Sequence, residues 1–418
     1  MKKKFFLLLI VAVFMVSCSL NLDKENIIQC GELHFYDSKQ QIALVENGAY
    51  YMDRDKNANW IIKYIDFYNK TDIPLCGRAE CTHDDESCTA FIRYKGSMYD
   101  IRIVNDKLML LSTTAEEEWI KRYGDEAISR IQLIDLNGEN RKTLISLNAG
   151  QSLKGTMVYD DKYIYTMINE TVKNDEIITS TSLVAININT GEKSEIIKFD
   201  KENPNIIGIY DNKIIIAYDK FEQIDTQYSY KTQIEAVDIN EKETTHIITI
   251  MPQESLVVKN NMFYLMDRDS GLYEINLLDG KRNSIYKMDK DAPKMFILEN
   301  IVDEYAIFYE FDLTSDTMVI YKVNLKTNER TEFSLRLNTT AAIYRKNEPA
   351  ISILDKIDNR YLVRNGYTDE IMEVPLPNGE KGNSYIISKY NYAFIEEDAL
   401  WKNIANYDKI IRINDLTE

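Results

Sequence analysis

The chain carries 67 acidic against 50 basic residues in a length of 418, a formal net charge of −17. A surface that acidic repels phosphate backbones and anionic headgroups, which excludes nucleic-acid binding. With 44% hydrophobic residues, 7 Pro and 15 Gly the chain is neither disordered nor collagenous, and its 28 Tyr suit half-buried strands.

Residues 1–17 stand apart as a signal peptide. Lys2, Lys3 and Lys4 precede an apolar run over 5–16 that ends at Ser17 and Cys18. A basic head, a short apolar segment and a small residue before the break describe a secretory signal. The run is too short to cross a bilayer core of about 30 Å as a helix, so an uncleaved anchor is the lesser alternative. Met15-Val16-Ser17-Cys18 resembles the bacterial lipobox, with Met where Leu is more usual. The resemblance implies cleavage before Cys18 and diacyl attachment there, and two acyl chains suffice for stable anchoring. Residues 18–32 then form a lipidated tether and residues 33–418 a single domain at the extracytoplasmic face of a cell membrane. Loss of residues 1–17 removes three Lys and no acid, taking the charge from −17 to −20.

From residue 33 onward the sequence repeats. Short runs with a period of two, bounded by Asp, Asn and Gly, read as strand, turn, strand. One marker turn recurs at Asn47-Gly48, Asn105-Asp106, Asp160-Asp161, Asp211-Asn212, Asn260-Asn261, Asp303-Glu304, Asp358-Asn359 and Tyr390-Asn391. A second marker is an aliphatic residue, a polar one and a large apolar one ahead of a tight turn. It appears as Ile65-Asp66-Phe67, Ile134-Asp135-Leu136, Ile186-Asn187-Ile188, Val237-Asp238-Ile239, Ile275-Asn276-Leu277 and Val323-Asn324-Leu325, with Val374-Pro375-Leu376 as a degenerate copy. The expected fold is all-β, a β-propeller of four-stranded blades. Eight blades are expected, the last from 384–413, with seven as the alternative; residues 33–36 are expected to pair with the last sheet.

The densest local signal is the loop that holds Cys76, Cys81, His83 and Cys88, in the pattern C-x4-C-x-H-x4-C. Pro-Leu-Cys at 74–76, Cys-x-His-Asp at 81–84 and Cys-x-Ala at 88–90 resemble a stretch in uncharacterised lipoproteins of Gram-positive anaerobes, ahead of a TolB-like propeller repeat. That resemblance implies the architecture and brings no activity. Three Cys and one His can supply the four soft ligands of a tetrahedral zinc site, although the spacing is not a standard knuckle. A disulfide is the first expectation for an exported chain, since Cys30, Cys76, Cys81 and Cys88 form an even set once Cys18 is lipidated; zinc is the second and free thiols the third. Asp53 to Asn59 alternates oxygens as a calcium loop does, without its central Gly or terminal Glu, and reads as a polar connection. His34 and His246 read as structural.

In a propeller the turns between strands a and b and between c and d share one rim. The b–c loops and the blade-to-blade connections share the other. Both markers fall on the first rim, and the longer inserts at 113–127, 169–181, 220–231 and 76–88 fall on the second. Connections of that length are usually functional or disordered. Glu116, Glu117, Trp119, Glu176, Phe221 and Tyr228 on this rim are expected to contact an envelope protein or another polar or cationic ligand. The chain has no Gly-rich phosphate loop, no G-x-S-x-G elbow and no H-E-x-x-H helix. The expected function is therefore non-catalytic binding or scaffolding by a monomer. The alternative is an extracytoplasmic hydrolase or lyase that uses the channel or the loop-rich rim.

Overall fold

The computed structural model describes residues 31–36, 42–55, 57–96, 98–113, 117–173, 177–200, 203–224, 227–252, 254–259, 262–267, 271–287, 294–312, 317–335, 351–373 and 384–412. Among these residues seven antiparallel sheets of four principal strands follow one another along the chain, over 42–74, 98–146, 151–200, 205–250, 254–287, 294–332 and 351–409. They are blades 1 to 7 of a β-propeller, each built from one continuous stretch of chain.

Alternation along each strand builds the ring. In strand b of blade 3, Tyr163–Lys173, Tyr165 and Met167 point into the core shared with blade 4, while Ile164 and Ile168 enter the core shared with blade 2. In blade 4, Ile214 and Ile216 face blade 3 and Ile215 faces blade 5. In blade 1, Tyr50 faces blade 2 and Ala49 and Tyr51 face blade 7. Each sheet thus has two apolar faces and buries both, as a ring of sheets allows and a single sheet does not. The last core joins Leu354, Leu362 and Phe394 of blade 7 to Ile42, Ala49 and Ile65 of blade 1, which closes the circle.

The marker turns have a local physical cause. Asn105-Asp106 and Asp211-Asn212 have positive φ at both central positions, the geometry of type I′ hairpin turns. The polar residue of the second marker caps its own turn: the Asn187 carboxamide oxygen accepts from the Asn189 and Thr190 N–H groups at 2.9 and 3.1 Å, and the Asp238 carboxylate from Asn240 and Glu241 at 3.0 and 3.1 Å. The large residue that follows is buried, as at Phe67, Ile188, Ile239 and Leu277. Its N–H can also reach the first turn, as Ile188 does to the Lys162 carbonyl at 2.8 Å, so the two turns of a blade sit on one plain rim.

Seven blades replace the expected eight. Tyr390-Asn391 is not a turn: both lie inside strand c of blade 7, Ser384–Glu396, where Tyr390 pairs with Tyr367 and Asn391 with Asn365 across a register shift. Strand c is followed by a short helix, Glu397–Trp401, and by strand d, Tyr407–Lys409. Ile411 and Arg412 then pair in parallel with Thr71 and Asp72 on the outer edge of blade 1 and clasp the ring. The Val374-Pro375-Leu376 copy lies outside the described residues.

The N-terminal strand also differs from expectation. His34–Tyr36 pairs antiparallel with strand a of blade 3, His34 opposite Tyr159 and Tyr36 opposite Met157. Leu33 is buried in the core between blades 3 and 4, and the Gly31 N–H donates to the Asp160 carboxylate at 3.0 Å. Asp160 belongs to the a–b turn of blade 3, so the described chain starts at the plain rim. It then runs antiparallel to strand a, toward the opposite rim. No helix among the described residues is long and apolar enough to cross a membrane.

Candidate metal centre

The cysteine loop begins where strand d of blade 1, Thr71–Pro74, stops after four residues. That strand covers strand c, Trp60–Asp66, only from Lys63 to Asp66, leaving the start of strand c open. The chain makes its excursion, then returns as Phe91–Ile92 to pair with Ile61 and Trp60. Ile62 marks the base of the excursion: it accepts from the Leu75 N–H at 2.9 Å and donates to the Ala90 carbonyl at 2.9 Å. Leu75, Cys88, Ala90, Phe91 and Ile92 are buried in the core between blades 1 and 2, with Cys76 and Cys81 packed against it. From blade 2, the Arg141 guanidinium donates to the Thr89 carbonyl and, at 3.2 Å, to the Phe91 carbonyl. The loop therefore lies along the flank of this joint and is bonded to both blades.

Within the loop, short turns bring the four side chains together. The Cys81 N–H bonds the Arg78 carbonyl at 3.3 Å and the Cys88 N–H bonds the Asp85 carbonyl at 3.1 Å. The Asp85 carboxylate accepts from the Ser87 N–H at 2.8 Å. His83 has φ +55, a left-handed conformation that a non-glycine residue adopts at a cost. In that conformation its Nδ1 stands 3.2 Å from the Cys88 sulfur. The sulfurs of Cys76, Cys81 and Cys88 and one His83 ring nitrogen all lie within 4.8 Å of one another. Among the described residues Cys76, Cys81 and Cys88 are free thiols; the set expected to form disulfides also includes Cys30. Cys30 and Cys18 lie outside the described residues.

The electrostatics differ from one thiol to the next. Burial pushes Cys88 up to about 12. Burial also works to raise Cys76, but hydrogen bonds from the Arg78 backbone and guanidinium and from the neighbouring thiols outweigh it and bring Cys76 down to about 7. The Arg78 guanidinium also reaches the Cys81 sulfur at 3.3 Å. Burial and the Arg78 charge lower His83 and favour its neutral, ligating form. Four protein donors leave no open position, which is the pattern of a structural site and not of a catalytic one.

The other expected site residues are dispersed. Trp119 is buried, at 8% exposure, so it is not the contact residue expected from its loop. The insert folds into the helix Glu117–Tyr123, and Trp119 packs edge-on to Tyr94 with ring centroids 5.4 Å apart. A Cβ at Gly96 would stand 2.2 Å from the Trp119 ring, so the indole fills space that a glycine leaves. Phe221 is 74% exposed and faces Tyr230 across an extended hairpin, Lys213–Ile224 with Gln227–Asp238. The described residues of the inserts in blades 3 and 4 thus continue strands b and c. Glu116 and Glu176 lie outside the described residues, as do the side chains of Glu117 and Tyr228. Asp55, from the calcium-like stretch, spends its carboxylate on the N–H groups of Asn57 and Asn59, both at 2.8 Å, within its own turn.

No protein-family model matches the chain, and no curated protein matches it in sequence. Among solved structures it is similar to a puromycin-hydrolyzing peptidase of Mycobacterium tuberculosis, with a TM-score of 0.48 and 8% identity over 89% of this chain and 53% of that one. It is also similar to an acylaminoacyl peptidase in complex with a chloromethyl ketone, at TM-score 0.49 and 10% identity over 92% of this chain and 53% of that one. A third is the β-propeller domain of the Trilobed protease from Pyrococcus furiosus, at TM-score 0.44 and 12% identity over 92% of this chain and all of that one. The chain spans about half the length of the two peptidases, 53% in each case. At these scores the likeness carries no argument about activity; the propeller rests on the seven sheets and their shared cores.

Proposed function

We propose that the protein is a lipid-anchored, monomeric, extracytoplasmic β-propeller that turns its plain rim to the membrane and offers its loop-bearing rim as a non-catalytic binding platform. One observation carries the reading: Gly31 is held at the plain rim by Asp160, so a tether from Cys18 arrives there. The extended hairpins of blades 3, 4 and 7 and the helix Glu117–Tyr123 continue from the b–c side, opposite that entry. The exposed apolar side chains are distributed accordingly. Tyr68, 90% exposed, and Leu278, 74% exposed, sit on plain-rim turns, whereas Phe221 stands on the blade 4 hairpin. An aromatic on an acidic protein suits a cationic or polar envelope partner, with charge steering encounter and the ring supplying contact energy.

A photo-crosslinking residue placed at Thr190 or at Phe221 in living cells tests this. Thr190 is exposed on the plain rim. Lipid adducts are expected from Thr190 and protein adducts from Phe221. Cys18→Ala should abolish the lipid adducts, because two acyl chains supply the membrane binding. Protein adducts confined to Thr190 would reverse the orientation and sink the proposal.

A further inference from the structure

We infer that Cys76, Cys81, His83 and Cys88 bind one zinc ion, which fastens the excursion in strand d of blade 1 to the joint with blade 2. Three features converge on it independently of the platform reading. The donor set is three sulfurs and one imidazole nitrogen, soft ligands of the kind zinc prefers. Their mutual separations, all within 4.8 Å, approach the edges of a zinc tetrahedron, about 3.8 Å for a metal–sulfur distance of about 2.3 Å. The backbone of His83 is held in the left-handed region where its Nδ1 faces the Cys88 sulfur, and such a conformation persists only where its surroundings impose it.

Charge supports the same assignment. On binding, three thiol protons leave to solvent, and three thiolates with a neutral imidazole leave a divalent ion one negative charge in excess. Arg78 stands beside the sulfurs, bonded to the Cys81 Sγ at 3.3 Å and to the Ser87 hydroxyl at 3.3 Å, where it can offset that charge. With all four positions taken by protein, the ion organises the loop and performs no chemistry. What it organises is the missing upper part of strand d: from Cys76 to Thr89 the only backbone order is short turns, and the loop's return leg must hold against Trp60 and Ile61.

The full chain, extracted in detergent under anaerobic conditions without chelator, provides the test. Elemental analysis is expected to give one zinc per chain. Replacement by cobalt(II) should produce the thiolate-to-metal charge-transfer absorption of a tetrahedral sulfur-rich site. Cys81→Ser and His83→Ala should lose the zinc, and His83→Cys should recover it, which a merely structural role for the imidazole would not allow. Cobalt substitution of the unmutated chain keeps the test valid if a variant fails to fold. A disulfide among these cysteines, free thiols with no metal, or zinc retained by Cys81→Ser would each overturn the site, and another metal in its place would overturn the assignment to zinc.

Discussion

The joint between blades 3 and 4 and the joint between blades 1 and 2 both bury alternating apolar side chains but finish their outer edges differently. In blade 3 the outer strand, Lys193–Asp200, is eight residues long and pairs with strand c from Ile186 to Ser180. In blade 1 the outer strand has four residues, and the cysteine loop stands where the rest would run. A full-length edge strand satisfies its partner's backbone by itself. In blade 1 the returning chain is held by pairing with Trp60 and Ile61, by the Ile62 N–H and by the Arg141 guanidinium. The difference places the cysteine cluster where the outer edge of blade 1 is interrupted and then resumed by residues 91–92.

The largest effect should come from the regular joint. Ile216 is fully buried between blades 3 and 4, and Ile216→Ala should cost about 2–5 kcal/mol by removing methylenes and leaving a cavity. Urea denaturation measures it, and the loss should be the same with and without a metal chelator. A chelator-dependent loss would mean that the two joints are energetically coupled and that the contrast between them fails.

Much of this contrast is legible in the chain. The turns capped by Asn187 and Asp238 announce themselves because capping is local, and so does the cysteine cluster, whose four donor side chains lie within thirteen residues. The blade count misleads because Tyr390-Asn391 has turn-like composition inside a long hairpin, and pairing with Tyr367 overrides that local preference. The inserts at 169–181 and 220–231 read as loops because their strands outrun the cores, so polar residues occupy positions that would be apolar lower down. Trp119 escapes a local reading for a tertiary reason: its partners Tyr94 and Gly96 come from another segment, and no nearby pattern announces the fit. The pairing of residues 34–36 with blade 3 is likewise long-range, since three residues carry too little pattern to choose an edge.

An intermediate effect is expected beside the irregular joint. Gly96 has φ +84, and the Cβ of Gly96→Ala would meet the Trp119 indole at 2.2 Å. Overpacking and the left-handed backbone together should cost about 1–3 kcal/mol. Gly124 has φ +57, and a Cβ there would meet nothing within 4 Å, so Gly124→Ala isolates the backbone part. Thermal unfolding should rank Gly96→Ala well below Gly124→Ala. Equal losses would show that Trp119 moves aside freely and that the helix is not pinned to the blade 1–2 side.

The smallest effect sharpens the comparison at the polar contact of the regular joint. Lys154 in blade 3 reaches into the start of blade 4, donating to the Pro204 carbonyl at 2.6 Å and to the Asn205 side chain at 3.1 Å. Burial lowers its pKa from 10.5 to about 8. The unfolded chain therefore holds the proton up to a higher pH than the folded one. Between pH 8 and 10.5 the unfolded state binds more protons, and stability contributed through Lys154 rises with pH across that window. Because the side chain is only partly buried, the rise should be discounted to about 1 kcal/mol. Lys154→Met should remove it, and the difference between the two proteins isolates it from the tyrosines that titrate at higher pH. A wild-type-minus-variant difference that is flat, or that falls, between pH 8 and 10.5 would show that the ammonium is solvated and that this joint rests on its apolar core.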